Sequence, residues 1–147
     1  MIKQTFTRDD LASHVSQVGM GVVSTVSVLG HPEAAFMELV ATAEGEIVFV
    51  TKLDARKAVN LRADPRIAVV VGWEKGITVQ VEGVAELPTG DGRAELARLF
   101  EERFRGASAR AEDFALFRVR PLWARYYDTN PESYCEIETT WTTPEAS

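Results

Sequence analysis

Residues 47–66 read Ile47-Val48-Phe49-Val50-Thr51-Lys52-Leu53-Asp54-Ala55-Arg56-Lys57-Ala58-Val59-Asn60-Leu61-Arg62-Ala63-Asp64-Pro65-Arg66. Ile47 to Thr51 is a short apolar strand. Asp54 can cap a helix through its side-chain oxygen, Ala55 to Ala63 contains good helix formers, and Asp64 is pushed out of the helical region by Pro65. The helix then spans about two and a half turns at 3.6 residues per turn. Its first turn leaves backbone N–H groups unpaired, and Arg56 and Lys57 add two positive charges beside them, which suits a phosphate. Asp54 would compete for those donors. A basic pair on a solvated helix face behind an ordinary acidic cap accounts for the same residues.

On the N-terminal side, Thr7-Arg8-Asp9-Asp10 resembles a capping box, and Leu11, Val15 and Val18 form a helical apolar stripe, so a first helix is expected from Arg8 to Ser16. Val22 to Val28 reads as a strand ended by Gly30-His31-Pro32, with Ala34 to Thr42 returning as its hairpin partner. Glu44-Gly45 turns the chain into the Ile47 strand. On the C-terminal side, Arg66 to Trp73 is a near-continuous apolar strand, as expected where both faces are covered. Glu74-Lys75-Gly76 closes a further hairpin. From Ile77 to Leu87 the chain alternates cleanly, and Gly83 is placed for a bulge or kink.

Asp91 to Phe104 has an amphipathic helical pattern through Leu96, Ala97, Phe100 and Phe104. Phe114 to Arg120 and Trp123 to Asp128 read as two last strands broken at Pro121, which belongs at an edge or bend. An irregular, loosely held tail is expected over 131–147, with Trp141 able to pack. Six to seven strands joined mostly by tight turns, with three helices inserted, predict a mainly β fold, an antiparallel barrel with peripheral helices. A single domain over 1–147 follows from the length of 147 residues.

Composition narrows the functional classes. Apolar residues make up 46% and charged residues 26%, which argues against disorder and fibrous repeats. A formal charge of −6 argues against a general nucleic-acid binder, which needs a basic stripe to displace counterions. Cys135 is the only cysteine, so an internal disulfide and a thiolate-rich zinc site are excluded. No run approaches the roughly 20 apolar residues of a membrane helix, and the N-terminus lacks a signal-peptide apolar core; a cytoplasmic protein without membrane attachment is expected. His14 and His31 have no partner at metal-ligand or triad spacing, and Trp73, Tyr126 and Tyr127 read as packing residues.

Taken in order, Phe49-Val50-Thr51, Ala55-Arg56-Lys57, Asn60-Leu61, Asp64-Pro65-Arg66-Ile67-Ala68-Val69 and Val79 to Glu86, followed by Phe117-Arg118-Val119-Arg120-Pro121 and Trp123 to Asp128, resemble the pyridoxamine 5′-phosphate oxidase-like family of FMN-binding split barrels. The resemblance covers roughly Val22 to Asp128. It implies a homodimer binding FMN in the groove between subunits, with Arg56 and Lys57 on the phosphate, the Thr51 hydroxyl as a neutral donor and the Val50 backbone nearby. Thr78 falls where the oxidase has a glutamine touching the flavin, and Gln80 shares its strand face. Phe36 and Met37 would lie along the isoalloxazine, and Trp123 would reach the ring edge from the partner subunit. No catalytic side chain is implied.

The chain departs from the oxidase in its second strand, where an arginine and a lysine are replaced by Ala34-Ala35-Phe36-Met37-Glu38-Leu39-Val40. Glu38 either stands beside the cofactor, where it would repel negative charge, or points to solvent. The tail lacks a recognisable pyridoxal-phosphate-binding set, so the oxidase's own reaction is not implied. The resemblance therefore implies a flavin-dependent oxidoreductase. A reductase using a deazaflavin coenzyme, or a non-catalytic flavin- or haem-binding or stress-related protein, are its alternatives.

Overall fold

In the computed structural model, which describes residues 2–142, the alternation of apolar and polar residues becomes eight strands whose pairings are all antiparallel. The chain runs α1 (Arg8–Val18), β1 (Met20–Val26), β2 (Pro32–Glu38), β3 (Val40–Ala41), β4 (Ile47–Lys52), α2 (Arg56–Ala63), β5 (Arg66–Val71), β6 (Ile77–Glu86), α3 (Gly90–Arg103), β7 (Phe114–Asp128) and β8 (Cys135–Thr140). Neighbouring strands follow the order β2-β1-β5-β6-β7-β4-β3, with β8 added to β7. Only Leu39 separates β2 from β3, so one stretch of chain supplies both ends of this path. The sheet therefore curls into the expected split barrel.

The barrel interior is filled by the inward-facing residues of each strand. Phe49 and Phe117 stack with centroids 5.4 Å apart among Val23, Val69, Val79 and Val81. A second cluster joins Leu96, Ala97 and Phe100 of α3 to Val48 and Leu116 on the outside of the barrel. Both faces of β4 are thus covered, which explains its unbroken apolar run.

Several expectations need correction. α1 starts with the Thr7–Asp10 capping box as read, but α2 is capped by Ala55 and lacks a side-chain cap. Asp54 lies one residue too early, in a turn closed by Ala55 N–H donating to Lys52 O at 3.1 Å. The stretch from Ala34 to Thr42 is two strands rather than one: its backbone leaves β1 at Leu39 and joins β4. Phe114 to Asp128 is one strand, in which Pro121 sits opposite Gly83 at a register shift that leaves Leu122 unpaired. That bulge tolerates the missing N–H of proline.

The stretch after Pro131 is more ordered than expected. Asp128 accepts from Asn130 N–H at 2.9 Å and Ser133 Oγ–H at 2.8 Å, pinning a turn that sends Cys135–Thr140 back along β7. Trp141 packs on the core and lies under the Arg8 guanidinium. Residues 143–147 of the expected tail lie outside the described residues. No described helix is long and apolar enough to cross a membrane.

Candidate functional site

At one end of the barrel the start of α2 meets the inward-facing residues of the β1–β2 hairpin. Val23 and Thr25 on β1 alternate inward, as do Glu33 and Ala35 on β2. With Arg56 and Lys57 they line a cavity of about 200 Å³. Strand alternation puts Val23, Thr25, Glu33 and Ala35 on one face, Ala34 also borders the cavity from between the last two, and α2 packs across β1.

Lys57 extends into this space. Its Nζ donates to Thr51 Oγ1 at 3.3 Å and makes no ion pair among the described residues. Burial pushes its ammonium below the ordinary lysine value. A partly desolvated cation whose only partner among the described residues is a hydroxyl is under-compensated, and an anion entering the cavity would supply what it lacks.

Arg56 is differently placed. Its guanidinium pairs with Glu33, although the Arg56 side chain remains 81% exposed against 18% for that of Glu33. The Glu33 carboxylate also accepts from Asn60 Nδ2 at 2.7 Å, and the same nitrogen donates to Thr25 Oγ1 at 3.0 Å. Asn60 and Thr25 are buried, so this carboxylate is fixed by a hydrogen-bonded wall. The Asn60 amide, then Arg56, holds Glu33 below the usual carboxylate range against the opposing effect of burial.

Arg56, Lys57 and Thr51 thus come together. Four other candidates lie on the opposite, outer face of the sheet. Register alignment places Phe36 beside Val22, then Val70, Gln80 and Arg125 in one row across five strands. Thr78 shares that face, and Trp123 stands in the neighbouring row opposite Glu82. Phe36 is 56% exposed and forms a tilted pair with Trp73, centroids 5.9 Å apart. Met37, one residue on, alternates inward onto the barrel core, so Phe36 and Met37 do not flank one ligand surface with their side chains. Val50 packs toward α3, away from the cavity, and only its backbone borders Thr51.

Glu38 is exposed at the end of β2, opposite Met20. The carboxylate that reaches the basic pair is Glu33, which sequence reasoning missed because it placed the start of the strand at Ala34. The alternation that puts Ala35 and Met37 inward extends back to Glu33 once the strand begins at Pro32.

His14 donates Nε2–H to Val71 O at 2.8 Å and is half-buried beside Gly72, a structural placement. A larger hollow of about 610 Å³ lies between residues 4–9 and β8, lined by neither Arg56 nor Lys57.

Residues 7–128 match the pyridoxamine 5′-phosphate oxidase family. No curated protein matches the chain in sequence. Among solved structures, the haem-binding protein from Mycobacterium smegmatis is similar with a TM-score of 0.81 at 20% identity, covering 95% of this chain and 60% of that one. The chain thus spans about 60% of that protein's length. The haem storage protein HutZ from Vibrio cholerae is similar at a TM-score of 0.65 and 21% identity, covering 74% of this chain and 85% of that one. An F420 reductase is similar at 0.60 and 22%, covering 74% and 90%. At such identities these structures share the fold, while their named ligands differ.

Proposed function

The chain belongs to the pyridoxamine 5′-phosphate oxidase family, and from that premise we propose that it holds a flavin-type cofactor by its phosphorylated tail and serves as a flavin-dependent oxidoreductase. FMN is the reading carried by the sequence resemblance. The observation that carries the proposal is Lys57, a partly desolvated ammonium whose only partner among the described residues is Thr51 Oγ1, beside a cavity of about 200 Å³. That volume suits a phosphate group and not a tricyclic ring, so the ring would lie outside it and would reach the outer face that carries Phe36, Thr78 and Gln80 only around the edge of β2, the end of the strand order. The cofactor supplies the electron or hydride chemistry; the protein binds and orients it and sets the polarity around it.

A second copy of the chain would complete the ring site, with Trp123 contributed from the partner subunit. The outer face supports a homodimer because Ser24, Ala34 and Ala68 leave its middle shallow enough for close approach. A deazaflavin coenzyme is the second reading, favoured by the carboxylate of Glu33 beside the cations. The substrate and the electron donor would be small molecules, and no residue is assigned to either.

One charge-assisted bond is worth about 1.5–3 kcal/mol, and each 1.4 kcal/mol is about tenfold in affinity. Lys57→Ala should therefore weaken FMN binding at least about tenfold in a fluorescence-quenching titration, with the thermal unfolding midpoint unchanged. Equal affinity in the two proteins would remove the phosphate assignment. Visible absorbance of the loaded protein separates a flavin from a deazaflavin.

A further inference from the structure

Two cations and one carboxylate meet at the cavity, and the carboxylate is built into its wall. Glu33 is held by Asn60 Nδ2 at 2.7 Å, and Asn60 is itself buried and tied to Thr25 Oγ1 at 3.0 Å. Arg56 is drawn onto the same carboxylate. Counting Arg56, Lys57 and Glu33, the formal charge facing an incoming group is +1. His31 lies close enough to favour the charged form of Glu33.

A phosphate esterified once carries close to two negative charges at neutral pH, as its second ionisation lies near 6. A phosphate esterified twice carries one. Bound beside Lys57, the first leaves an uncompensated negative charge next to Glu33, whereas the second leaves none. Like charges a few ångströms apart in a partly desolvated site repel by an amount that readily reaches tenfold in affinity. The remaining capacity of the site also favours the smaller charge. Arg56 is already spent on Glu33, so Lys57, Thr51 and the uncapped first turn of α2 provide the free donors.

We infer that Glu33 is a specificity-determining residue that tunes this pocket to a singly charged phosphodiester and against a doubly charged phosphomonoester. The favoured cofactor class is a flavin-type molecule whose phosphate is esterified on both sides. This rests on the reading that the cavity takes a cofactor phosphate; within that reading FMN, a monoester, binds at the same residues but more weakly than a flavin-type diester.

The test compares riboflavin 5′-phosphate with its methyl ester, the same flavin bearing one charge fewer, by fluorescence quenching on the intact protein. The unsubstituted protein should bind the methyl ester more tightly. Glu33→Gln keeps the shape and an acceptor for Asn60; it should tighten the monoester about tenfold and the methyl ester about threefold or less. Tighter binding of the monoester by the unsubstituted protein overturns the inference without any variant, as does a monoester-to-diester ratio that Glu33→Gln leaves unchanged. A failure of the underlying reading looks different: neither flavin would bind either protein, or Lys57→Ala would bind both as well as the unsubstituted chain does. In that case the inference falls with the reading.

Discussion

His14 illustrates how a residue without a place in the site can still govern behaviour in solution. Its imidazole is packed between α1 and the end of β5, with Nε2–H on Val71 O. Burial depresses its affinity for a proton, and the bond to the carbonyl offsets that in part. The folded value therefore lies below the unfolded value near 6.5. Well above pH 6.5 the ring is neutral in both states and contributes no pH dependence. As the pH falls below 6.5, the unfolded chain takes up the proton first and stability declines until the folded value is reached. The unfolding midpoint should thus fall between pH 7 and pH 5, and His14→Gln, which keeps a neutral donor, should flatten that decline. A midpoint equally pH-dependent in both proteins would place the effect elsewhere.

The same residue scale shows what the sequence could and could not reveal about the site. Arg56 and Lys57 are adjacent at the start of a helix, so their proximity is written in the chain. Glu33 lies 23 residues before Arg56, and their contact depends on how β2 pairs with β1 and on where α2 crosses it. Alternation alone would have sent Glu33 inward with Ala35. What hid it was the starting residue of β2, the least legible property of any strand.

Elements with a strong local signal were readable for a physical reason. α1 carries its own capping box, and β6 alternates over ten residues with its bulge at a glycine. The β7 strand was read as two because Pro121 lacks an N–H, yet the bulge at Leu122 removes the need for one. β8 was missed because it has little apolar surface of its own; Ile137 is its main packing residue, and its stability comes from pairing with β7 and from the Asp128 turn.

Gly83 is where this bulge makes a demand on the sequence. A Cβ there would stand 2.2 Å from Arg120 O and 3.2 Å from Pro121 Cα, and both obstacles are backbone. No side chain can rotate away to make room. Gly83→Ala should therefore cost about 3 kcal/mol, the upper end of overpacking, by forcing β6 and β7 apart. Chemical denaturation measures this directly. Gly92→Ala, with open space around its Cβ and a position inside α3, is the control: it should not destabilise and should gain up to about 1 kcal/mol from helix propensity.

At the scale of the whole molecule, the barrel has two unlike surfaces. α3 covers the outside of β4, whereas the outside of β1, β2, β5 and β6 is left open. That open face carries Phe36, Val22 and Val70 in one row and Ala34, Ser24 and Ala68 in the next, bordered by a hollow of about 440 Å³ reaching Trp123. Small central residues, flanked by Phe36, Val22 and Val70 on one side and by Glu82, Gln80 and Arg125 where the rows run onto β6 and β7, permit two sheets to meet face to face, and the proposed homodimer would place each cofactor ring at the edge of that contact. Ala68 sits near the middle. In a two-fold interface Ala68→Glu would bury two like-charged carboxylates without partners, at a cost of about 3 kcal/mol or more, which weakens association at least about a hundredfold. Sedimentation equilibrium at micromolar concentration should give twice the chain mass for the unsubstituted protein and a single chain for Ala68→Glu. The variant should retain its fold but lose most of its flavin affinity, because the ring would have no second wall. A monomeric unsubstituted protein that still binds flavin tightly would show that one chain holds the cofactor unaided.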